Sequence, residues 1–215
     1  MKILYAQIDE ERHSYLLEKY LHTFPEDFVS KVQKFRRWQD AQLSLLGRVL
    51  LDSGLKSYFN ITNSKIIYNP KGKPFLHNQD VFFNISHTSD LVVCSIANFP
   101  VGIDVEKLDS KFEYNDFKYQ MTKNEYEIIK NSTNTVESFY SYWTEKEAVI
   151  KAHGNGLQIP LNSFELKNQE CLIDEETFYV KNVFINEKYK CNIASNNFDI
   201  NNHHIHIEQI NLNIL

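Results

Sequence analysis

The chain has 215 residues, of which 42% are hydrophobic and 24% charged, as in an ordinary globular protein with one domain or two small lobes. Its formal net charge of −5 argues against a general nucleic-acid binder, which would need an excess of positive charge. Three cysteines without metal-binding or redox spacing predict reduced thiols. No apolar run is long enough to span a membrane, so we expect a cytoplasmic protein that binds neither membrane nor nucleic acid.

The first half of the chain predicts one strand, two helical stretches and then four strands. The expected ranges are 3–8 for the first strand, 11–21 and 27–51 for the helices, and 65–68, 81–86, 91–97 and 101–106 for the later strands. The second helical stretch could be interrupted near Arg37, and Asp52-Ser53-Gly54 predicts where it ends.

The second half predicts helices followed by strands. Helical segments are expected near Phe117, over 122–131 and over 135–153, where Gly154 provides a C-cap. From Phe164 onward the pattern favours strands with Asn-rich turns. The order strand, helices, strands thus occurs twice, which indicates an α+β fold of two lobes joined near residues 100–104.

The strand predicted at 101–106 places two carboxylates on one face. Apolar residues at 101, 103 and 105 alternate with Gly102, Asp104 and Glu106. Adjacent carboxylates repel each other unless a proton or cation lies between them, and Mg²⁺ accepts such ligands together with phosphate oxygens and water. Gly102 leaves room for a close approach of backbone or ligand. The competing interpretation is an amphipathic strand with a solvated acidic face.

The helix predicted at 135–153 carries Glu147 and Lys151 four residues apart, on one face. The carboxylate could complete a metal site or accept a proton, and the lysine could pair with a phosphate. The competing interpretation is a surface ion pair worth about 0.3–0.5 kcal/mol. The presence of both segments in one small domain favours a shared site for magnesium and a diphosphate.

Three further patterns are weaker. Ser86-His87 does not predict a hydrolase site, because adjacent strand residues point to opposite faces. Gly72-Lys73 lacks the first glycine of a P-loop and is followed by proline. His204 and His206 fall on one face of a predicted strand, for which an exposed edge strand is favoured over a metal site.

The acidic strand and the helix together resemble the 4′-phosphopantetheinyl transferases of the Sfp type, with Gly-Ile-Asp-x-Glu at 102–106 and, about forty residues on, Trp143 to Lys151. The resemblance covers roughly residues 30–165. Other matching pieces occur in family order: Lys34-Phe35, Asp40-Ala41, Leu46-Gly47, Gly72-Lys73-Pro74, Phe83 to His87, Gly154 to Leu157 and Pro160 to Phe164. It implies two similar lobes with a pseudo-twofold relation, at 1–102 and 103–215, and an active site at their interface.

The resemblance also implies an activity. Such an enzyme moves the phosphopantetheine arm of coenzyme A to a serine of an apo acyl or peptidyl carrier protein, with Mg²⁺, and releases adenosine 3′,5′-bisphosphate. The first lobe would bind the nucleotide, and the second would carry the magnesium site and the catalytic helix and dock the carrier. Because the two lobes would complete the site within one chain, a monomer is expected. Fatty-acid synthesis and secondary metabolism both remain open as the pathway. The implied magnesium ligands are Asp104, Glu106 and Glu147, and the implied contacts to coenzyme A are Lys31, Lys73, Pro74, Ser86, His87 and Lys151, with His87 near the 3′-phosphate.

Two assignments stay open at this point. The base that takes the serine proton could be Glu147 or Glu125, although Thr122 and Glu125 also fit a helix capping box. Leu43 stands where the family would have a cation. The positive charge near it could come instead from Arg36, Arg37 or Arg48.

Two rival functions share these residues. One is a module that binds coenzyme A or docks a carrier and has lost catalysis, against which the presence of all three carboxylates and Lys151 argues. The other is a metal-dependent phosphohydrolase, which would cleave coenzyme A without a carrier.

Overall fold

The computed structural model describes residues 1–213, apart from the side chain of Leu157. Its helices are α1 (His13–Tyr20), α2 (Glu26–Gln33), α3 (Trp38–Phe59), α4 (Lys123–Lys130) and α5 (Thr135–His153). Its strands are β1 (Lys2–Gln7), β2 (Ile66–Tyr68), β3 (Pro74–Leu76), β4 (Phe82–Thr88), β5 (Leu91–Ala97), β6 (Gly102–Lys107), β7 (Glu170–Ile173), β8 (Glu176–Asn182), β9 (Tyr189–Ser195) and β10 (His206–Gln209). None of these helices is long and apolar enough to cross a bilayer.

Two four-stranded sheets form the α+β fold that the sequence predicted, and β2 and β3 make a small additional sheet. The first sheet has the order β10-β1-β5-β4, and the second has the order β6-β9-β8-β7. Each sheet is covered by its own long helix, α3 on β1 and β5, and α5 on β6 and β9. The predicted arrangement of two α+β lobes is therefore confirmed.

The last strand crosses back to the first lobe. β10 pairs in parallel with β1, so that Ile207 lies opposite Ile3. It is the outer strand of that sheet, as predicted for the segment around His206. This strand departs from the predicted division at residues 102 and 103, because strand pairing in space does not have to follow chain order.

The helix α3 packs its leucine-rich face on the first sheet. The predicted break near Arg37 is confirmed, because α2 and α3 are separate helices there. The predicted end at residues 52–54 is wrong. A Cβ atom at Gly54 would lie 2.5 Å from Ile96 Cδ1 and 2.6 Å from Leu4 Cδ1. This glycine therefore lets the helix pack closely on the sheet instead of ending it.

Candidate active site

The two lobes meet where β4 runs beside β6, and we call this contact the seam. Asn84 accepts a hydrogen bond from a backbone N–H of β6 at 2.9 Å. Ser86 Oγ donates to Asp104 Oδ1 at 2.8 Å, and Thr88 Oγ1 donates to Glu106 Oε2 at 3.1 Å. The three donors and acceptors on β4 are alternate residues and so share one face of the strand. The first lobe therefore fixes the position of the acidic pair on the second.

A close approach of α5 brings its functional side chains to the seam. A Cβ atom at Gly102 would lie 2.2 Å from Ala148 O and 2.3 Å from Ala152 N, so only glycine lets the helix backbone lie this close to β6. The sequence predicted a close approach of backbone or ligand at Gly102, and it is the backbone of α5 that makes this approach. Glu147 and Lys151, from the same stretch of α5, consequently reach the acidic strand.

Lys151 binds directly to Asp104. Its Nζ atom lies 2.5 Å from Asp104 Oδ1 and 3.0 Å from Ser86 Oγ. The Asp104 side chain is only 5% exposed, whereas that of Lys151 is 27% exposed. The second oxygen of Asp104, Oδ2, is buried and has no hydrogen-bond partner. A buried carboxylate oxygen without a partner is costly, so this atom is available for a cation or a proton donor.

The other two carboxylates lie in an environment that disfavours negative charge. Burial raises the pKa of Glu106 to about 7, and the neighbouring Asp104 charge adds to this rise. Burial also raises the pKa of Glu147, and Lys151 opposes the rise while Asp104 reinforces it. A divalent cation would relieve this mutual repulsion. In residues 1–213, however, no three His, Cys, Asp or Glu side chains are already gathered closely enough to hold a metal.

A cavity of about 220 Å³ opens beside this cluster. It is lined by Lys73, Pro74, Glu147 and Lys151, among others. The turn between β2 and β3 presents Lys73, because Asn69 Oδ1 accepts a hydrogen bond from its backbone N–H at 2.8 Å. Lys73 Nζ donates to a carbonyl oxygen at the end of α5, at 2.8 Å, and burial lowers the pKa of this lysine to about 8. The cavity therefore brings one carboxylate together with three lysines, since Lys71 also lines it.

A second cavity, of about 380 Å³, adjoins the first at Pro74, which lines both. We call it the nucleotide cavity, after the contact to the nucleotide end of coenzyme A that the sequence resemblance implies for His87. Its lining includes Lys31, Arg48 and His87, together with the carboxylate of Asp40 and several apolar side chains. Desolvation lowers the pKa of His87, and Lys151 lowers it further. Cationic and apolar groups in one cavity suit a ligand that has both phosphates and an aromatic ring.

The adjacent residues Ser86 and His87 serve different places, as strand geometry predicts. His87 lies in the nucleotide cavity. Ser86 is 5% exposed and is bound to Asp104 and Lys151. Its position is thus in the seam, and the contact of Ser86 with coenzyme A stays a prediction.

Glu125, the second candidate for the base, lies in a saturated cluster. The predicted capping box is confirmed, because Thr122 N donates to Glu125 Oε2 at 2.9 Å and Glu125 N donates to Thr122 Oγ1 at 3.2 Å. The other oxygen of Glu125 lies 2.6 Å from Lys146 Nζ. Both oxygens are therefore held by structural partners.

Lys146 is a residue that the sequence reasoning missed. Its side chain is fully buried, and it donates to Leu161 O at 2.9 Å and to Phe164 O, besides its ion pair with Glu125. It thereby ties α5 and α4 to the loop at 160–165. Helical spacing in the sequence could have indicated that Lys146 is buried, because it lies four residues before the buried Ile150 on the same face of α5.

Comparison with known proteins identifies the class of this fold and site. A family model described as the 4′-phosphopantetheinyl transferase superfamily matches residues 100–207, and one described as 4′-phosphopantetheinyl transferase, N-terminal, matches residues 13–98. The chain therefore belongs to the 4′-phosphopantetheinyl transferase superfamily and is a transferase of phosphopantetheine to carrier proteins.

Individual relatives agree with this class. The chain is 36% identical over 212 residues to the 4′-phosphopantetheinyl transferase gsp of Aneurinibacillus migulanus, covering 91% of this chain and 86% of the relative. It is 30% identical over 181 residues to the 4′-phosphopantetheinyl transferase Sfp of Bacillus subtilis (strain 168), covering 78% and 76%. The predicted resemblance to the Sfp type is thus confirmed.

Proposed function

We propose that the chain transfers 4′-phosphopantetheine from coenzyme A to a serine of an apo acyl or peptidyl carrier protein, in a reaction that requires Mg²⁺ and releases adenosine 3′,5′-bisphosphate. The observation that carries this proposal is the contact between Lys151 and Asp104 at the seam, beside two adjoining cavities with cationic linings. The reaction would take place in the cytoplasm on a monomer.

The proposed magnesium ligands are Asp104, Glu106 and Glu147. Their fit to a hard cation rests on the partnerless Oδ2 of Asp104 and on the raised pKa values of the two glutamates. When bound, the ion would polarise the diphosphate of coenzyme A and offset its negative charge. Lys151 offsets the charge of Asp104 in the metal-free protein and is close enough to contact the same diphosphate.

The proposed place of coenzyme A follows from the two cavities. Its adenosine 3′-phosphate end would lie in the nucleotide cavity with Lys31 and His87. Its diphosphate would pass Pro74 toward Lys73 and Lys151. This order puts the bond to be broken next to the acidic cluster, with amines on the side of the leaving group.

Glu147 is the residue we propose as the base. Burial raises its pKa, which makes the carboxylate a better proton acceptor, and it lines the cavity with Lys151. The carrier serine oxygen forms a bond to the phosphorus of phosphopantetheine as the bond to the nucleotide phosphate breaks. The serine proton passes to Glu147, directly or through water, and the charge of the leaving phosphate faces Lys151. The saturated position of Glu125 favours Glu147 over it.

The intact mass of a purified apo carrier tests the proposal after incubation with this enzyme, coenzyme A and Mg²⁺. A gain of one phosphopantetheine, about 340 Da, that disappears with a chelator is the expected result. Coenzyme A that binds without any gain of mass on acyl or peptidyl carriers would instead indicate a non-catalytic module. Coenzyme A that is cleaved when the carrier is left out would indicate a phosphohydrolase.

A further inference from the structure

Arg48 of α3 is a cation held against two aromatic rings that also contact each other, Phe24 and Phe28, whose ring centres are 5.1 Å apart. Its guanidinium carbon lies 5.4 Å from the ring centre of Phe24 and 5.1 Å from that of Phe28. Cation–π contacts with two rings restrict the guanidinium group, so less rotamer freedom is lost when a ligand binds.

The hydrogen-bonding capacity of Arg48 is not used up within the described residues. Its Nε atom is buried and has no hydrogen-bond partner. Across residues 1–213, the guanidinium forms no ion pair with a carboxylate. Asp52, one turn further along α3, feels its charge, but burial outweighs this attraction and raises the pKa of Asp52. A buried donor without an acceptor is the state that a bound anion would relieve.

The location of Arg48 distinguishes it from the other two arginines left open by the sequence. It lines the nucleotide cavity together with Lys31 and His87, and it also lines another cavity that contains Asp52 and Lys56. Arg36 and Arg37 are exposed and do not line that cavity, and Arg37 Nε lies 4.0 Å from Asp40 Oδ2. Leu43, the residue that replaces the expected cation, is 3% exposed in the same wall.

We propose that Arg48 binds the 3′-phosphate of coenzyme A and selects coenzyme A over its 3′-dephospho form. This inference rests on the proposed function. Arg48 lies one helical turn beyond Ser44 on the same face of α3, and both residues line the nucleotide cavity. The guanidinium fork of N–H donors matches two phosphate oxygens, which an ammonium group cannot match in the same way.

Steady-state kinetics with two donors test this inference, with coenzyme A and 3′-dephospho-coenzyme A compared at saturating carrier. Arg48→Gln should raise KM for coenzyme A about tenfold or more, because a charge-assisted hydrogen bond is lost. Its KM for the dephospho donor should stay that of the wild type. Arg36→Gln removes the same charge from an exposed position nearby and should leave both KM values unchanged.

A purely structural role for Arg48 predicts a different result. If the residue only stacks on Phe24 and Phe28, then Arg48→Gln changes the KM values for both donors equally or changes neither, and the inference is wrong. Arg48→Lys covers the case in which Arg48→Gln does not fold. The lysine variant keeps the charge and should lose part of the discrimination between the two donors. Full wild-type discrimination in a folded Arg48→Lys would also contradict the assignment.

Direct binding separates the failure of this inference from failure of the proposed function. Calorimetric titration with adenosine 3′,5′-bisphosphate and with adenosine 5′-phosphate requires no catalysis. The wild type should prefer the bisphosphate, and Arg48→Gln should lose that preference. A wild type that transfers nothing but shows this pattern would contradict the reaction alone. Equal preference in the wild type and Arg48→Gln would contradict the role of Arg48 alone.

Discussion

Two lysines of α5 each pair with a carboxylate, yet the two pairs have opposite characters. Lys151 lies 2.5 Å from Asp104, and Lys146 lies 2.6 Å from Glu125. In the second pair, the lysine is fully buried, binds two further carbonyl oxygens, and faces a carboxylate that also caps α4. In the first pair, the lysine is partly exposed to a cavity and one carboxylate oxygen has no partner.

The contrast shows how similar distances can serve different purposes. A pair whose donors and acceptors are all satisfied holds elements together and has nothing left for a ligand. A pair with a buried partnerless oxygen beside a cavity can bind one. The following predictions test whether the Asp104–Lys151 pair acts in catalysis and the Glu125–Lys146 pair in folding.

The largest expected effect is that of Asp104→Asn on transfer. Asparagine can still accept the Ser86 hydrogen bond, but it removes the negative charge proposed to hold magnesium. We expect the transfer rate to fall about a thousandfold, near 4 kcal/mol of transition-state stabilisation. The intact-mass assay measures the loss, and a circular dichroism melt close to that of the wild type checks the fold. Near-normal transfer by this variant would contradict the assignment of Asp104 as a magnesium ligand.

Lys146→Met should lower the stability of the fold rather than the transfer rate. Removal of the buried amine leaves Glu125 charged and without its partner, at a cost of about 3 kcal/mol. Urea unfolding followed by circular dichroism measures this loss. Adding Glu125→Gln should recover part of it, because the stranded charge is then gone. If Lys146→Met lowered transfer strongly in a fully stable protein, the structural role assigned to this pair would be wrong.

Lys73→Met should change how stability depends on pH. The folded-state pKa of this lysine is about 8, below its ordinary value, so between about pH 8 and 10.5 the unfolded chain binds more protons than the folded protein. Lys73 therefore costs stability below pH 8, and this cost disappears as the pH rises through that window. The variant should gain on the order of 1 kcal/mol at pH 7 relative to the wild type, and little at pH 10.5. Urea unfolding of both proteins across this range measures the difference, and a gain that does not vary with pH would contradict the prediction.

The smallest effect belongs to a surface pair, Lys190 with Glu137. Their atoms lie 2.7 Å apart, but the side chains are 21% and 49% exposed. Lys190→Met should change the free energy of unfolding by less than about 1 kcal/mol, because water already solvates both charges. This variant is also the matched control for Lys146→Met. A loss as large as that of Lys146→Met would show that burial does not determine how much each ion pair contributes to stability.

The sequence by itself determined the features that depend on local rules. Helix α5 ends at His153 with Gly154 in a left-handed conformation, φ 87°, as its capping pattern predicted. Strand β5 spans the predicted residues 91–97, and alternation put Asp104 and Glu106 on one face of β6. The family, too, could be recognised from the order and spacing of short motifs. The helix cap and the strand alternation depend only on neighbouring residues, so tertiary contacts leave them unchanged.

Only the tertiary structure decided which polar groups are satisfied. Gly54 lies within α3 because the sheet needs space there, and Ser86 lies in the seam because β6 is beside β4. Glu125 is saturated because a buried lysine from another helix reaches it, and Arg48 stands out because the nucleotide cavity is next to it. A residue's type shows what it can bind, but partners distant in the chain determine whether that capacity is already used.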